Sequence, residues 1–362
     1  MQVASILGCD LCVLMWYNDV HIHNMMEEKA DMAKETSGNL VVGTDLGGTK
    51  ILAGVVNETG KILGMAKRAT RPESGIETVV DRIAKTVLDA AKDAKLGIKD
   101  IAAVASGAPG PLDPDKGIIW NAPNLPNWEN VSLADMLAER LSVPVFIEND
   151  VNLGTLGEFA LGAGMGAQDV VGIFVGTGIG GGMILNGALR QGWRKSAAEI
   201  GHIVLLADGP VCGCGKRGCA EALASRTAIE RDIWAGIRAG RESLVPEIMK
   251  RDSRDRLTSG VLAEAYYQGD PLVTEVIGRA QFYLGILTAS IVNFLDPQIV
   301  IFGGGVVEAL GTGFLEPIRR VAYQYFINKR NARDVQILPA TLGDNSVLLG
   351  AAVLARQKLA NA

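Results

Sequence analysis

One histidine and three cysteines, His202, Cys212, Cys214 and Cys219, fall within eighteen positions at the spacing H-x9-C-x-C-x4-C. One imidazole and three thiolates match the ligand number and softness of a tetrahedral structural zinc site. Gly213, Gly215 and Gly218 lie between and beside the cysteines, so a short loop can wrap an ion without steric cost. The whole chain has only five cysteines and three histidines, which makes chance clustering a poor account. The alternative is a set of buried or free thiols. Glu199 and Glu221 flank the cluster. A closed metal knuckle does no chemistry itself, so its expected role is to hold those carboxylates in place.

A second polar group is Glu148-Asn149-Asp150, at the end of the apolar run VFI. The carboxyl ends of buried strands are where open α/β sheets take ligands. Asp150 is the candidate general base. Asn149 is a group that can both donate to and accept from a hydroxyl. The same residues also suit the capping of a helix over 152–159. Beside Glu199, His202 and Glu221 they complete a set of carboxylates, amide and imidazole suited to a polyhydroxylated ligand. Each buried hydroxyl left unsatisfied there would cost about 1–3 kcal/mol.

Three glycine-rich turns are candidates for a phosphate ligand. In DLGGTK, Gly47 and Gly48 allow close backbone approach to an anion. Thr49 adds a hydroxyl, Lys50 a charge, and Asp45 a ligand for hydrated magnesium. The G-x4-G-K-[ST] spacing of a Walker loop is absent, and the same letters also make a plain hairpin turn. GTGIGG (176–181, with Gly176, Thr177 and Gly178 at its head) fits GxGxxG by letter. Residues 182–187 read as strand and turn, however, which disfavours a dinucleotide fingerprint. Gly303-Gly304-Gly305 after a buried strand either lets a flat ligand lie on the backbone or is a tight strand-to-helix turn.

The elements that must position these groups form an α/β pattern. A strand at 40–45 and a hairpin over 51–70 give three antiparallel strands, followed by a helix over 76–96. In that helix Ile76, Val79, Val80, Ile83, Val87, Leu88 and Ala91 share the apolar face. Buried strands come next at 101–110 and 145–150, with a short helix at 132–141 between them. The hairpin pattern then restarts at 170–185 with a tight turn at Asn186-Gly187. Helices over 222–240, 258–268 and 271–295, a strand at 298–305 and a closing helix at 345–360 complete the chain. This weak internal repeat predicts two α/β domains with a cleft between them. One spans residues 39–150 plus 345–362 and the other 151–344. Residues 1–38, with Cys9-x2-Cys12 and His21-x-His23, read as an unstructured leader or an over-extended start.

The 362 residues, 48% hydrophobic and 21% charged, describe an ordinary globular protein. A net charge of −5 gives no reason to expect nucleic acid or an anionic membrane as partner. No apolar run reaches the roughly 20 residues of a membrane span. Sparse cysteine, mostly in one cluster, predicts a cytoplasmic location.

Taken together, DLGGTK, GAPGPLD (107–113), NAPNLPNW (121–128), IENDVN (147–152), GTGIGGG, EIGH, CGCGKRGCAE and NFLDPQIVIFGGG (293–305) resemble the ROK family (repressors, open reading frames, kinases). Within it they are most similar to the bacterial ATP-dependent glucokinases. The resemblance covers residues 39–355 and implies a duplicated actin/hexokinase-like (ribonuclease H-like) ATPase fold. It implies ATP with magnesium over Asp45 to Lys50 and Gly176 to Gly178, and structural zinc on the His/Cys cluster. It implies sugar held by Asn149, Asp150, Glu199, His202 and Glu221, with Gly107 and Asn124 from more variable loops. It also implies a homodimer or homotetramer.

The expected reaction is phosphorylation of the glucose 6-hydroxyl. Other hexoses or N-acetylated amino sugars, polyphosphate as donor, and a non-catalytic sugar sensor stay open. WRKSAA (193–198) departs from the small, glycine-rich stretch that usually precedes EIGH, so the rim of the sugar site has its own shape here. The 38 residues before the resemblance are too short and unpatterned for the helix-turn-helix of the family's repressors.

Overall fold

The computed structural model describes residues 39–122 and 124–361. The leader reading of residues 1–38, with its cysteine and histidine pairs, lies outside the described residues.

Two five-stranded sheets share one topology. In the first, β1 (Val41–Leu46) and β2 (Lys50–Val56) form a hairpin, and β3 (Ile62–Ala69) extends it. β4 (Ala103–Ala108) and β8 (Val145–Asn149) add in parallel beyond β1, giving the order β3-β2-β1-β4-β8. In the second, β9 (Val170–Val175), β10 (Ile179–Leu185) and β11 (Ala188–Leu189) repeat the hairpin start. β12 (Ile299–Gly303) and β13 (Gln336–Pro339) then add in parallel, giving β11-β10-β9-β12-β13. The repeat faint in sequence is therefore one of strand order and direction. A small sheet of β5 (Leu112–Asp113), β6 (Ile118–Asn121) and β7 (Glu129–Val131) sits between β4 and β8 in the chain. Its strands are too short to carry a readable alternation.

Local chemistry explains the boundaries. The Asn57 Oδ1 accepts the N–H groups of Thr59 (3.2 Å) and Lys61 (2.9 Å), and Gly60 takes φ +84° to close the β2–β3 turn. Asn186 and Gly187, both at positive φ (53° and 71°), make the tight turn expected between β10 and β11. Helix α1 (Ile76–Asp93) buries Val79, Val80, Ile83 and Val87. Leu88, expected on that face, is exposed instead. The helix expected over 222–240 is broken into α4 (Ala220–Ala224) and α5 (Arg226–Arg238). Ser225 adopts an extended conformation there, and its hydroxyl accepts the Ala228 N–H at 3.1 Å as the cap of α5.

The remaining helices are α2 (Leu133–Leu141), α3 (Asp150–Leu161), α6 (Val245–Arg251), α7 (Ser259–Tyr267), α8 (Pro271–Leu295), α9 (Gly305–Leu310), α10 (Thr312–Tyr325) and α11 (Ser346–Ala360). Two of them, α3 and α11, fill the space between the sheets. Leu153, Leu156, Leu348 and Ala352 pack with Val41 and Ala103 of the first sheet and Val170 and Ile301 of the second. Their backbones approach so closely that a Cβ on Gly350 would sit 1.8 Å from the Leu153 carbonyl oxygen. Among the described residues no helix is long and apolar enough to cross a membrane.

Candidate active site

The parallel strands of the first sheet end in register. Asp45 pairs with Gly107, Gly107 with Glu148, and Ala108 with Asn149. Asp45, Gly107, Glu148 and Asn149 therefore share the carboxyl edge of the sheet, and α3 starts at Asp150 immediately beyond it. The Asn149 Oδ1 accepts the N–H groups of Val151 (3.0 Å) and Asn152 (3.1 Å), so the capping role considered for this segment is real. The cap occupies only the amide oxygen of Asn149 and leaves its two amide N–H donors to face elsewhere.

Asp150 and Asp45 keep a water-accessible edge but are otherwise surrounded by protein. For Asp150 that desolvation outweighs the opposing pull of the Val151 N–H (2.9 Å from its Oδ1), and its pKa is pushed up to about 6, with Glu199 adding to the rise. Asp45 is pushed up to about 7, first by burial and next by the charge of Asp150, while Lys50 pulls the other way. Two desolvated carboxyls, one of them raised further by the charge of the other, are a donor set a hard dication relieves. Lys50 Nζ lies 2.7 Å from Asp344 Oδ2, just before α11. Glu308 on α9 belongs to the same group, and its carboxyl is raised by burial and by Asp344.

The candidate metal knuckle is assembled as expected. The ligand atoms of His202, Cys212, Cys214 and Cys219 all lie within 4.8 Å of one another. Cys214 Sγ and Cys219 Sγ are 3.7 Å apart, as are Cys212 Sγ and His202 Nδ1. A tetrahedron with bonds of about 2.3 Å has edges of about 3.8 Å, so the spacing fits ligands around one ion. Burial pushes the Cys212 thiol up to about 12. The exposed Cys214 thiol is lowered, chiefly by the Lys216 N–H. The knuckle reaches the cleft through Glu221. Its Oε1 accepts from Cys212 Sγ (3.5 Å), and its Oε2 accepts the Ile179 N–H (3.0 Å) at the β9–β10 turn. A Cβ on Gly178 would lie 2.2 Å from that Oε2, which explains the glycine there.

A pocket lies beside the end of β8, the start of α3 and strand β10. Glu148, Asn149, Asn152, Gly180, Lys195 and Glu199 are among its walls. The Oδ1 of Asn152, a buried residue, has no hydrogen-bond partner, although its Nδ2 donates to Glu148 Oε1 at 3.0 Å. An orphaned acceptor in the wall of a polar pocket suits a ligand hydroxyl.

The other candidates are distributed around the cleft. DLGGTK is a tight β1–β2 turn, closed by the Gly47 N–H to the Lys50 carbonyl (2.9 Å) and braced by the Thr70 hydroxyl on the Gly47 carbonyl (2.6 Å). Thr49 is exposed, and Asn124, also exposed, packs on Gly48. Residues 176–178 are the β9–β10 turn rather than a strand-to-helix fingerprint. Thr177 is held by Thr227 and Arg226 at the start of α5. Gly303 to Gly305 form a strand-to-helix turn in which Gly303 packs against Phe174 and Gly304 takes φ +90°. Of the three, Gly305 alone faces open space, with Ser259 Oγ at 3.6 Å from a notional Cβ.

The sequence assigns no role to Glu148, Asn152, Gln191 or Asp344, and marks Lys195 only as part of the WRKSAA rim. Glu148 and Asn152 belong to the IENDVN stretch, where their polarity inside an apolar segment was the available signal. Gln191 and Asp344 sit in loops without pattern.

A model of the ROK family matches residues 41–358. The chain belongs to the ROK family. A glucokinase of Thermotoga maritima is 37% identical over 319 residues, covering 88% of this chain and 98% of that protein. A structure of a ROK family glucokinase from Streptomyces griseus, in complex with glucose and AMPPNP, is 38% identical with a TM-score of 0.76, covering 88% and 99% of the two chains. A xylose repressor of Caldicellulosiruptor bescii is 30% identical over 86% of this chain and 76% of its own length. The fold of this ROK protein is thus the duplicated actin/hexokinase-like ATPase fold. Its two sheets are the repeated unit, and Asp45, Gly107, Glu148 and Asn149 lie at the carboxyl edge of the first.

Proposed function

We propose that this ROK protein is an ATP-dependent sugar kinase that phosphorylates the 6-hydroxyl of glucose. The reading is carried by one convergence. Asp150 begins α3 at the carboxyl end of β8, Glu199 is near enough to add to the rise of its pKa, and Asn149, Asn152 and Glu199 line one small pocket. Support also comes from the full-length similarity to glucokinases, one of which was crystallised with glucose and an ATP analogue.

In this mechanism Asn149, Glu199, His202 and Glu221 hold the sugar. Glu221 would do so with its carboxylate fixed by the Ile179 N–H and its backbone placed by Cys219, the knuckle residue at the N-cap of α4. Asp150 accepts the hydroxyl proton as the sugar oxygen bonds to the terminal phosphorus and the bond to the ADP oxygen breaks. With a pKa of about 6, Asp150 is mostly ionised at neutral pH yet basic enough to take a proton. Asp45 suits a bound magnesium ion, and Lys50 with the N–H groups of the 47–49 turn suits the phosphates. Magnesium-bound ATP supplies the phosphoryl group and charge neutralisation. Zinc is the ion proposed for the knuckle, in a structural role. Two lobes, 39–150 plus 345–362 and 151–344, would close around the substrates and exclude water. A homodimer or homotetramer is the proposed assembly, checked by light scattering.

The test is ADP release on addition of MgATP and each of a panel of hexoses and N-acetylhexosamines. Turnover with glucose as the preferred acceptor is expected. Turnover of a different sugar corrects the substrate. Sugar binding without ADP release makes the chain a sensor.

A further inference from the structure

The pocket bordered by Glu148, Asn149 and Glu199 encloses only about 60 Å³. Ordinary ligand pockets enclose about 300–1,000 Å³, so a sugar gains room only if a wall yields. Part of its wall is firm, being the end of β8, the first turn of α3 and strand β10. The rest is the loop at Gly110 and Pro111 and the segment 190–199, which contains no helix or strand. In it Lys195 and Ala198 sit at φ +57° and +61°, and Trp193 is 97% exposed.

One chain of side chains holds that segment down. Lys195 Nζ lies 2.7 Å from Asp115 Oδ2, in the turn between β5 and β6, and donates to Gln191 Oε1 at 3.1 Å. Gln191 Nε2 in turn donates to Glu148 Oε2. The latch therefore crosses from the second half of the chain to two points on the first. Lys195 also has a second neighbour space. It lines both the small pocket and a wider one of about 560 Å³, bordered by Asp113, Lys116, Trp120 and Trp193. Its side chain is the partition between them.

We propose that Lys195, latched by Asp115, is the specificity-determining residue that restricts the sugar pocket to an unsubstituted hexose. A hexose ring needs a small displacement of segment 190–198. A ring bearing an acylamino or glycosyl substituent on that side needs Lys195 to leave, which breaks both of its bonds. The pair is partly open to water, with side chains 27% and 58% exposed, so it is individually weak and the latch can open without a large barrier. Beyond the partition, the Trp120 and Trp193 indoles and the surrounding charged groups offer an apolar and polar surface to a substituent.

The inference rests on the sugar-kinase reading, and the experiment separates the two. The wild type, Lys195→Ala, Asp115→Asn and the charge-reversed double variant Asp115→Lys/Lys195→Asp are assayed with MgATP for kcat/KM on glucose and on N-acetylglucosamine. The ratio of the N-acetylated sugar to glucose should rise at least tenfold in Lys195→Ala and severalfold in Asp115→Asn. It should return toward the wild-type value in the double variant. Trp193 fluorescence on sugar addition gives a readout independent of turnover. Ratios within twofold of wild type in both single variants overturn the proposal. A rise in Lys195→Ala with none in Asp115→Asn overturns the latch. A wild type that phosphorylates no hexose refutes the kinase reading instead.

Discussion

Lys50 and Asp344 are 294 residues apart in sequence, yet Lys50 Nζ and Asp344 Oδ2 meet at 2.7 Å. The contact ties the first hairpin of the chain to the turn that enters its last helix, across the mouth of the cleft that holds Asp45 and Glu308. The pair is open to water, with side chains 33% and 75% exposed, so it contributes little to stability. Its value is in placing a cation beside Asp45.

Lys50→Met should therefore change binding more than folding. The KM for ATP is expected to rise about tenfold or more, the loss of one charge-assisted contact worth about 1.5–3 kcal/mol. The KM for sugar should change much less, and the urea midpoint should move by under about 1 kcal/mol equivalent. Steady-state kinetics with each substrate varied in turn measures the split.

The segment carrying Asp344 is anchored by Glu158, a fully buried carboxylate on α3. It accepts the N–H groups of Thr341 (2.9 Å), Leu342 (2.8 Å) and Ala163 (2.9 Å). Glu158→Ala leaves those donors without their acceptor and should destabilise the protein by about 3 kcal/mol. Glu158→Gln, which keeps the volume and one acceptor oxygen, should cost less. Urea unfolding of the two variants gives the comparison. The KM for ATP should rise in both as Asp344 loses its support.

Much of this was legible in sequence because it depends on local rules. The hairpin at 57–60, the Asn186-Gly187 turn and the full extent of α8, from Pro271 to Leu295, follow from turn and cap chemistry within a few residues. The four knuckle residues were readable because their types are rare in the chain. The Asn149-Asp150 pair was readable because it ends an apolar run. What could not be read depends on contacts distant in sequence. Asp344 looks like an ordinary loop charge until Lys50 is brought to it, and the WRKSAA stretch marks a rim without showing that Asp115 holds its Lys195. Asn152 became notable only when its carbonyl oxygen proved buried without a partner. Ser225 breaks a helix that periodicity alone would continue, because a serine hydroxyl serves equally well as a cap.

In the proposed enzyme the knuckle would bear on the sugar through Glu221, which follows Cys219 at the start of α4 and whose Oε2 accepts the Ile179 N–H. Cys214→Ser or exhaustive chelation should empty the site and loosen that carboxylate. Bound zinc, measured by mass spectrometry, should fall from about one per chain. Tm should drop by about 2–3 °C, as expected for a loss of about 2 kcal/mol in a chain of this size. The KM for sugar should rise while the KM for ATP changes little. An unchanged Tm and sugar KM in metal-free protein would remove the knuckle from the site.

Asp150 carries opposite consequences for stability and for rate. Its pKa is about 6 in the folded chain against 3.8 for a free carboxyl, so between those values the folded state binds more protons than the unfolded state. The ligand-free protein must then lose stability as pH rises through that window, with the loss complete above about pH 6. Asp45, raised in part by Asp150, adds to the same trend. Asp150→Asn removes the buried charge. Its Tm should exceed that of the wild type at pH 7.5, and the gap should narrow toward pH 5. Turnover requires the ionised form, so kcat/KM of the wild type should fall about tenfold per unit below pH 6, and Asp150→Asn should lose about 10²- to 10⁴-fold at every pH. Melting curves and rates on the same samples test both halves. A variant that is inactive but no more stable at pH 7.5 would mean that Asp150 is not desolvated as the structure has it, whereas a more stable and still active variant would give the proton to another base.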